Sequence, residues 1–471
     1  MVKQKHFIIS KIKVEDYAAE GKAIARLDGK VLFIEGAVPD DIVDVWIIKN
    51  KKDWAEGRVD KLIIPSPKRT SPFCKHFGIC GGCKWQMLPY DQQLIYKQKE
   101  VEDNLTRIGK IKLPAIPPII GSSETKHYRN KLEFTFSEWR YKTREELLIQ
   151  QENAFEPGAL GFHVPKIFDK AIDIEECFLQ PHPSNDLRNI VRLFAHQNAM
   201  PFYNTRRHTG WLRNMMVRTC TTGEWMVNLI LAYEEPILQK TILDFIVKQY
   251  PNITSLYYTI NTKLNDSIYD LAPQLYYGKP YIQEKLEAFV FNISPKSFFQ
   301  TNTKQAENLY RIARDFSELT GKEIVYDLYC GTGSIGLFVS PNASKIIGIE
   351  VVEDAVKDAQ LNAQINGVNH AHFITGDVIK ICTDDFFIEH GKPNVIITDP
   401  PRAGMHEKLV EKLLEIESPL IVYVSCNTAT QARDLHLLSE KYTVIKVQPV
   451  DMFPHTHHIE NVVQLRIREE K

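Results

Sequence analysis

Asp327-Leu328-Tyr329-Cys330-Gly331-Thr332-Gly333-Ser334-Ile335-Gly336 decides how the chain is read. An apolar run, Glu323–Leu328, leads into it, and a new apolar run begins at its end. Glycines at this point let the backbone turn sharply and approach a ligand at a helix N-terminus. Beyond it, strand-like runs at Lys345–Ile349, Ala371–Thr375, Asn394–Thr398 and Leu420–Ser425 alternate with helical patterns. The helices fall at Glu353–Asn366, Met405–Ile416 and Thr430–Ser439. Such alternation predicts a doubly wound α/β sheet. The chain ends differently, with Tyr442–Val450 and Val462–Ile467 as two strands joined by a loop.

Upstream of this Rossmann-like unit, Ala306, Leu309, Ile312, Ala313, Phe316 and Leu319 recur at helical spacing. Residues 73–296 alternate strand-like runs with charged turns, as in Lys131–Phe136, Met215–Thr221 and Trp225–Tyr233, which predicts a central α+β domain. A helical stretch from Tyr90 to Ile108 lies near its start and is placed to pack on the catalytic domain. Residues 1–62 read as a five-stranded OB-like β-barrel, with alternation at Lys22–Arg26, Val31–Glu35, Asp41–Ile48 and Asp53–Ile64. Three domains result: 1–62, 73–296 and 297–471.

The bulk numbers narrow the function classes. Nowhere do 18 apolar residues run uninterrupted, so no membrane span is expected. Met1–Ser10 lacks the apolar run of a leader, and a cytoplasmic location is the expectation. The net charge of −1 means that any contact with nucleic acid rests on local patches. Arg206, Arg207, Arg213 and Arg218 form one such stretch, with no acid between Pro201 and Cys220; a solvated strand surface is the plain alternative.

The glycine loop alone would also suit a dinucleotide. Asp327, which precedes it, would repel a pyrophosphate and favour a cationic ligand. Glu350 ends the second strand, where it can accept from a ribose diol, and Asp377 follows the third, where it can read an adenine amino group. Three acids at successive strand ends fit S-adenosylmethionine, whose sulfonium and amino groups favour acidic surroundings. A strand-end cap is the plain alternative for each.

Two further strand ends carry the chemistry. The fourth ends in Asp399-Pro400-Pro401-Arg402 and the fifth in Ser425-Cys426-Asn427, so Asp399 and Cys426 face one crevice. In amino-group methyltransferases an aromatic residue commonly follows the two prolines, and Arg402 stands there instead. A thiol suits methylation at carbon 5 of uracil, because attack at carbon 6 makes carbon 5 nucleophilic. Glu460 is the candidate base for the carbon-5 proton, and Asp399 a partner for the uracil edge. Gln300 opens the catalytic domain beside Phe298 and Phe299, where an amide would meet cofactor and Phe298 an extruded base. His455, His457 and His458 read as a flexible polar loop, and Cys330 and Cys382 as core residues.

Of the eight cysteines, Cys74, Cys80 and Cys83 have C-x5-C-x2-C spacing, and Cys177 is a distant fourth. Four thiolates suit zinc or an iron–sulfur cluster, and the spacing leaves both open.

These motifs, in their joint order, resemble the RNA (uracil-5-)-methyltransferase family, in particular its 23S ribosomal RNA group. The closing antiparallel hairpin is typical of class I methyltransferases. The resemblance implies a TRAM RNA-binding module at 1–62 and a [4Fe–4S] cluster on the four cysteines. It implies Cys426 as nucleophile and Glu460 as base. Gln300, Tyr329, Glu350 and Asp399 match positions that line the cofactor and base site. With Asp327, Gly331, Gly333 and Asp377 they form the expected cofactor site. Many members have proline where this chain has Thr428. RNA, with 23S rRNA first, is the expected partner, and no protein partner is expected. The rivals are a tRNA uridine enzyme, against which the cysteine cluster and TRAM module speak, and, from other classes, a nicotinamide oxidoreductase or a non-catalytic RNA binder.

Overall fold

The computed structural model describes residues 7–149 and 158–469. The opening residues read for a leader therefore lie partly outside the described residues.

The C-terminal unit is a seven-stranded sheet in the order Ala371–Thr375, Lys345–Glu350, Ile324–Leu328, Val395–Thr398, Leu420–Ser425, Glu460–Ile467, Tyr442–Val450. The first five strands run parallel and the last two antiparallel. Parallel strands covered by helices on both faces carry near-continuous apolar runs, which is why they stood out in the sequence. The sheet order reverses beside Ile324–Leu328, so the glycine loop opens into the crevice at the strand ends. Cys330 and Cys382 are buried core residues, as expected.

The hairpin Ile282–Leu286/Phe289–Ile293 also belongs to this core. Asn292 and Val290 donate their backbone N–H groups to the Asn362 and Asn366 side chains (2.9 and 2.8 Å). The Tyr90–Arg107 helix buries Val101 and Leu105 against the same unit, although it lies far away in sequence.

The central sheet has seven strands, ordered Gln274–Gly278, Ser255–Ile260, Trp225–Leu231, Leu212–Thr219, Lys131–Ser137, Ala159–Val164, Ile167–Asp173. All neighbours are antiparallel except Trp225–Leu231 and Ser255–Ile260, which the Pro236–Gln249 helix connects. That helix and Ser184–Gln197 cover one face.

The N-terminal sheet has six strands where five were expected. Phe7–Lys13 shows little burial alternation, and Asp16–Tyr17 is two residues long, so neither carries a readable period. Trp85, Met87 and Leu88, just after the third clustered cysteine, complete this domain's core. Among the described residues no helix is long and apolar enough to cross a membrane.

Candidate active site

The glycine loop is held from both sides by acids. Asp327 Oδ2 accepts from Gly336 N–H (2.9 Å), and Glu350 Oε2 accepts from Gly331 N–H (3.2 Å). A Cβ on Gly336 would lie 2.9 Å from Asp327 Oδ2, and Gly333 sits at φ +76° against Phe373, so side chains are excluded at both positions. Tyr329 adopts a left-handed φ of +60°, which turns the chain away from the strand. Asp377 caps the short Val378–Ile381 helix by accepting from Ile379 N–H (3.0 Å), and its charge acts on the Tyr329 phenol. Gln300 is buried, and its backbone carbonyl accepts from Asn130 Nδ2 (2.8 Å). Phe298 is 64% exposed, whereas Phe299 lies in the core.

The reaction centre follows from strand register. Leu420–Ser425 runs antiparallel to Glu460–Ile467, with Ser425 opposite Asn461. The pairing ends there; Cys426, the next residue, lies within the electrostatic reach of Glu460 and Asp399. Asn427 then starts the Thr428–Leu438 helix: its Oδ1 accepts from Ala429 and Thr430 N–H (3.1 and 3.4 Å). Its Nδ2 donates to the Arg402 carbonyl (3.1 Å), tying the Asp-Pro-Pro-Arg turn to the thiol's own turn. Thr428 departs from the family's common proline, and its Oγ1 accepts from Asn104 Nδ2 of the Tyr90–Arg107 helix (2.7 Å).

Burial dominates the electrostatics. Asp327 and Asp399 are both raised to about 7 by desolvation. Glu460 is raised well above the usual carboxylate range by burial and then by Asp399, with Arg402 opposing. Its Oε2 is buried and has no hydrogen-bond partner among the described residues. Cys426 is pushed up to about 12 by burial, Glu460 and Asp399, again opposed by Arg402. Carboxylates this close together and this dry are costly when ionised, and a cationic ligand would relieve them. The Tyr310 phenol, hydrogen-bonded to Ser334 Oγ (2.9 Å), lies within the field of Asp399, Asp327 and Glu460. Nothing in the sequence signalled it, because it falls within an amphipathic helix.

Residues 272–468 match the family described as tRNA (uracil-5-)-methyltransferase, and residues 4–59 match the TRAM domain. An RNA methyltransferase of Bacteroides thetaiotaomicron, itself uncharacterised, is 53% identical over 96% of this chain and 100% of its own. One from Porphyromonas gingivalis is 47% identical over 96% and 99%. The chain belongs to the tRNA (uracil-5-)-methyltransferase family. It is therefore an S-adenosylmethionine-dependent RNA methyltransferase with an N-terminal TRAM domain. The solved Pyrococcus abyssi tRNA (uracil-54, C5)-methyltransferase, in complex with S-adenosyl-L-homocysteine, superimposes with a TM-score of 0.74 at 27% identity. It covers 97% of this chain and 100% of its own. A tRNA enzyme of this family thus matches almost the whole chain, so the N-terminal module does not separate rRNA from tRNA members.

The Pro454–Glu460 loop is more enclosed than its polar residues suggest. His455 and Thr456 are buried, and His455 takes a φ of +64°. Gln93 clamps it: Oε1 accepts from His455 N–H (2.8 Å) while Nε2 contacts His455 Nδ1 (3.1 Å). The His455 carbonyl accepts from Lys84 and Trp85 N–H (2.9 and 3.1 Å), directly after the cysteine loop. Lys97 pairs with Asp451 (2.6 Å), both side chains fully buried. Burial holds His455 and His457 down at about 4. Histidine letters look polar in sequence, and only packing shows that these are neutral interior groups.

Cys74, Cys80, Cys83 and Cys177 line one cavity of about 410 Å³. Burial raises all four thiols, Cys80 to about 11 and Cys83 to about 12, and Cys80, Cys83 and Cys177 each feel charge from others of the set. Among the described residues no group of three His, Cys, Asp or Glu side chains is arranged to hold a metal ion. The cysteines share a cavity without converging on a point.

The basic stretch is largely structural. Arg213 is buried, and its guanidinium donates to the Asn261, Lys263 and Asn265 carbonyls (2.7, 2.5 and 2.9 Å). Arg218 is 4% exposed. Arg206 is exposed, pairs with Asp169 and lies over Trp139.

Proposed function

We propose that this enzyme methylates carbon 5 of a uridine in 23S rRNA through a covalent adduct on Cys426. The observation that carries the reading is a thiol just past a strand end, Cys426, whose electrostatics are dominated, after burial, by Glu460 and Asp399. S-adenosylmethionine supplies an electrophilic methyl group on a sulfonium. Gln300, Asp327, Tyr329, Gly331, Gly333, Glu350, Asp377 and Asp399 would hold it at the strand ends. Cys426 Sγ, as thiolate, adds to carbon 6 of the uracil, and Asp399 steadies the charge that develops on the ring. Carbon 5 then takes the methyl group as its bond to the sulfonium sulfur breaks, leaving S-adenosylhomocysteine. Glu460 removes the carbon-5 proton, the bond between carbon 6 and sulfur breaks, and the thiolate is regenerated. Glu460 must be ionised for that step; cation binding beside these acids favours ionisation.

A [4Fe–4S] cluster on Cys74, Cys80, Cys83 and Cys177 is part of the proposal. The shared cavity supports it. The cluster would hold the cysteine loop, and no chemical step passes through it. Iron and sulfide bound by the anaerobically prepared protein, and lost in Cys80→Ser, would support it; neither in the wild type would refute it.

A tRNA uridine is the second reading, favoured by the near full-length match to the Pyrococcus abyssi enzyme. Methyl-labelled S-adenosylmethionine with unmodified 23S and transfer RNA separates the two. Label recovered as 5-methyluridine in 23S rRNA is the expected result. Label in tRNA alone would keep the chemistry and replace the substrate.

A further inference from the structure

Lys131 and Arg218 are direct partners across two antiparallel strands, so both side chains leave the same face of the central sheet. Like charges directly opposite each other are destabilising, more so when buried. Arg218 is 4% exposed, and its Nε is buried with no hydrogen-bond partner among the described residues. Its Nη2 donates to the Ser297 carbonyl. Among the described residues the Lys131 ammonium makes no hydrogen bond and no ion pair. Glu133, two residues along the same face, draws Lys131 electrostatically, but its Oε1 accepts from Asn214 Nδ2 (3.1 Å). Cys220 and Tyr269 are the anion-capable groups that act on Arg218. Burial and then Arg218 pull the Lys131 ammonium down to about 8, which is what an unmatched cation pair produces.

The placement is specific. Met216 and Met226, neighbours of Arg218 on this face, pack into the catalytic core, so the face looks toward the catalytic domain. Arg218 holds Ser297 from one side. Asn130, adjacent to Lys131, holds the Gln300 carbonyl and Thr303 Oγ1 from the other (2.8 and 3.0 Å). The pair therefore flanks the segment that carries Phe298 and Gln300. Phe298 and Tyr269 stand out there, 64% and 72% exposed, and the Tyr269 carbonyl accepts from Lys296 Nζ (3.1 Å). Cations beside exposed aromatic rings are what a single nucleic-acid strand needs: charge for its backbone and faces for its bases.

We propose that Lys131, backed by the buried Arg218 guanidinium, is a phosphate-binding site for the RNA strand beside the target uridine. The proposal rests on the RNA reading above and adds a second, cationic anchor next to the reaction centre. The bound phosphodiester supplies the missing counter-charge, so the free protein carries a repulsion that RNA relieves.

Lys131→Met tests it. Binding of fluorescently labelled unmodified tRNA and a 23S rRNA fragment is measured across a salt series, together with the thermal midpoint of the free protein. The expected result is a salt slope reduced by about one, a higher KM for RNA at unchanged kcat, and a thermal midpoint that is unchanged or raised. An unchanged salt slope overturns the proposal, whatever happens to the midpoint. Arg218→Met should lower affinity in the same direction; if it does not fold, Lys131→Met decides alone. Binding is read without turnover: a protein that binds RNA with the altered slope but transfers no methyl group defeats the proposed reaction and leaves this site standing. Methylation with an unaltered slope does the reverse.

Discussion

The reaction centre and the cysteine cavity both bury groups that become anions, yet they are built in opposite ways. Asp327, Glu350, Asp399 and Cys426 stand at or just beyond the ends of neighbouring strands in one sheet, where hydrogen bonding fixes their spacing before any ligand arrives. Cys74, Cys80, Cys83 and Cys177 come from one loop and a distant segment, and they share a cavity without meeting. A site on a sheet is organised by the fold, whereas a site on loops is completed by what it binds. The Pro454–Glu460 loop joins the two regions: the His455 carbonyl is held by Lys84 and Trp85, directly after Cys83, and the loop ends at Glu460.

Cys426→Ala carries the largest expected effect, loss of methyl transfer to background with S-adenosylmethionine affinity intact by calorimetry. Glu460→Gln should lower turnover by about 10²- to 10⁴-fold and leave methylated RNA attached to the protein, visible on a denaturing gel. If the cysteine cavity merely supports the fold, Cys80→Ser will spare cofactor affinity, whereas loss of that affinity would erase the distinction between the regions. Lys97→Met strands a buried carboxylate, Asp451, and should cost about 3–5 kcal/mol in denaturant unfolding. Lys97→Met/Asp451→Leu should recover much of it.

Titration sharpens the contrast. The Asp327 carboxyl is raised from 3.8 to about 7, so between those values the folded protein keeps a proton that the unfolded chain has released. The free enzyme should therefore lose stability as pH rises through that window. Affinity for the cationic cofactor should increase over the same range and flatten above about 7. Thermal midpoints with and without cofactor, taken from acid to neutral pH, check both signs. The smallest effect expected is Asn104→Ala, which removes one hydrogen bond to Thr428 and should cost about 1 kcal/mol in the same unfolding measurement.

The acids and the thiol were legible because each ends an apolar run, and strand ends point to a known place in a doubly wound sheet. The closeness of Glu460 to Cys426 was not, because an antiparallel register depends on a loop whose path the letters do not give. Burial of polar letters was equally hidden. Arg213 and Arg218 read as part of a patch for phosphate contact or as a solvated strand surface, and His455 as loop, yet each is enclosed by segments far away in sequence. Phe7–Lys13 was missed for the converse reason, an edge strand too exposed to alternate. The Pro236–Gln249 helix went unread, although its proline at the first turn is a start signal.

The central claim is a covalent bond between Cys426 and carbon 6 of the target uracil. Substrate RNA carrying 5-fluorouridine tests it most directly, because a carbon-5 fluorine cannot leave as a proton and so blocks release of the thiol. With methyl-labelled S-adenosylmethionine, the account predicts a denaturation-resistant, labelled protein–RNA adduct whose attachment maps to Cys426. Methylation of the natural RNA with no such adduct, or an adduct that persists in Cys426→Ala, would contradict it.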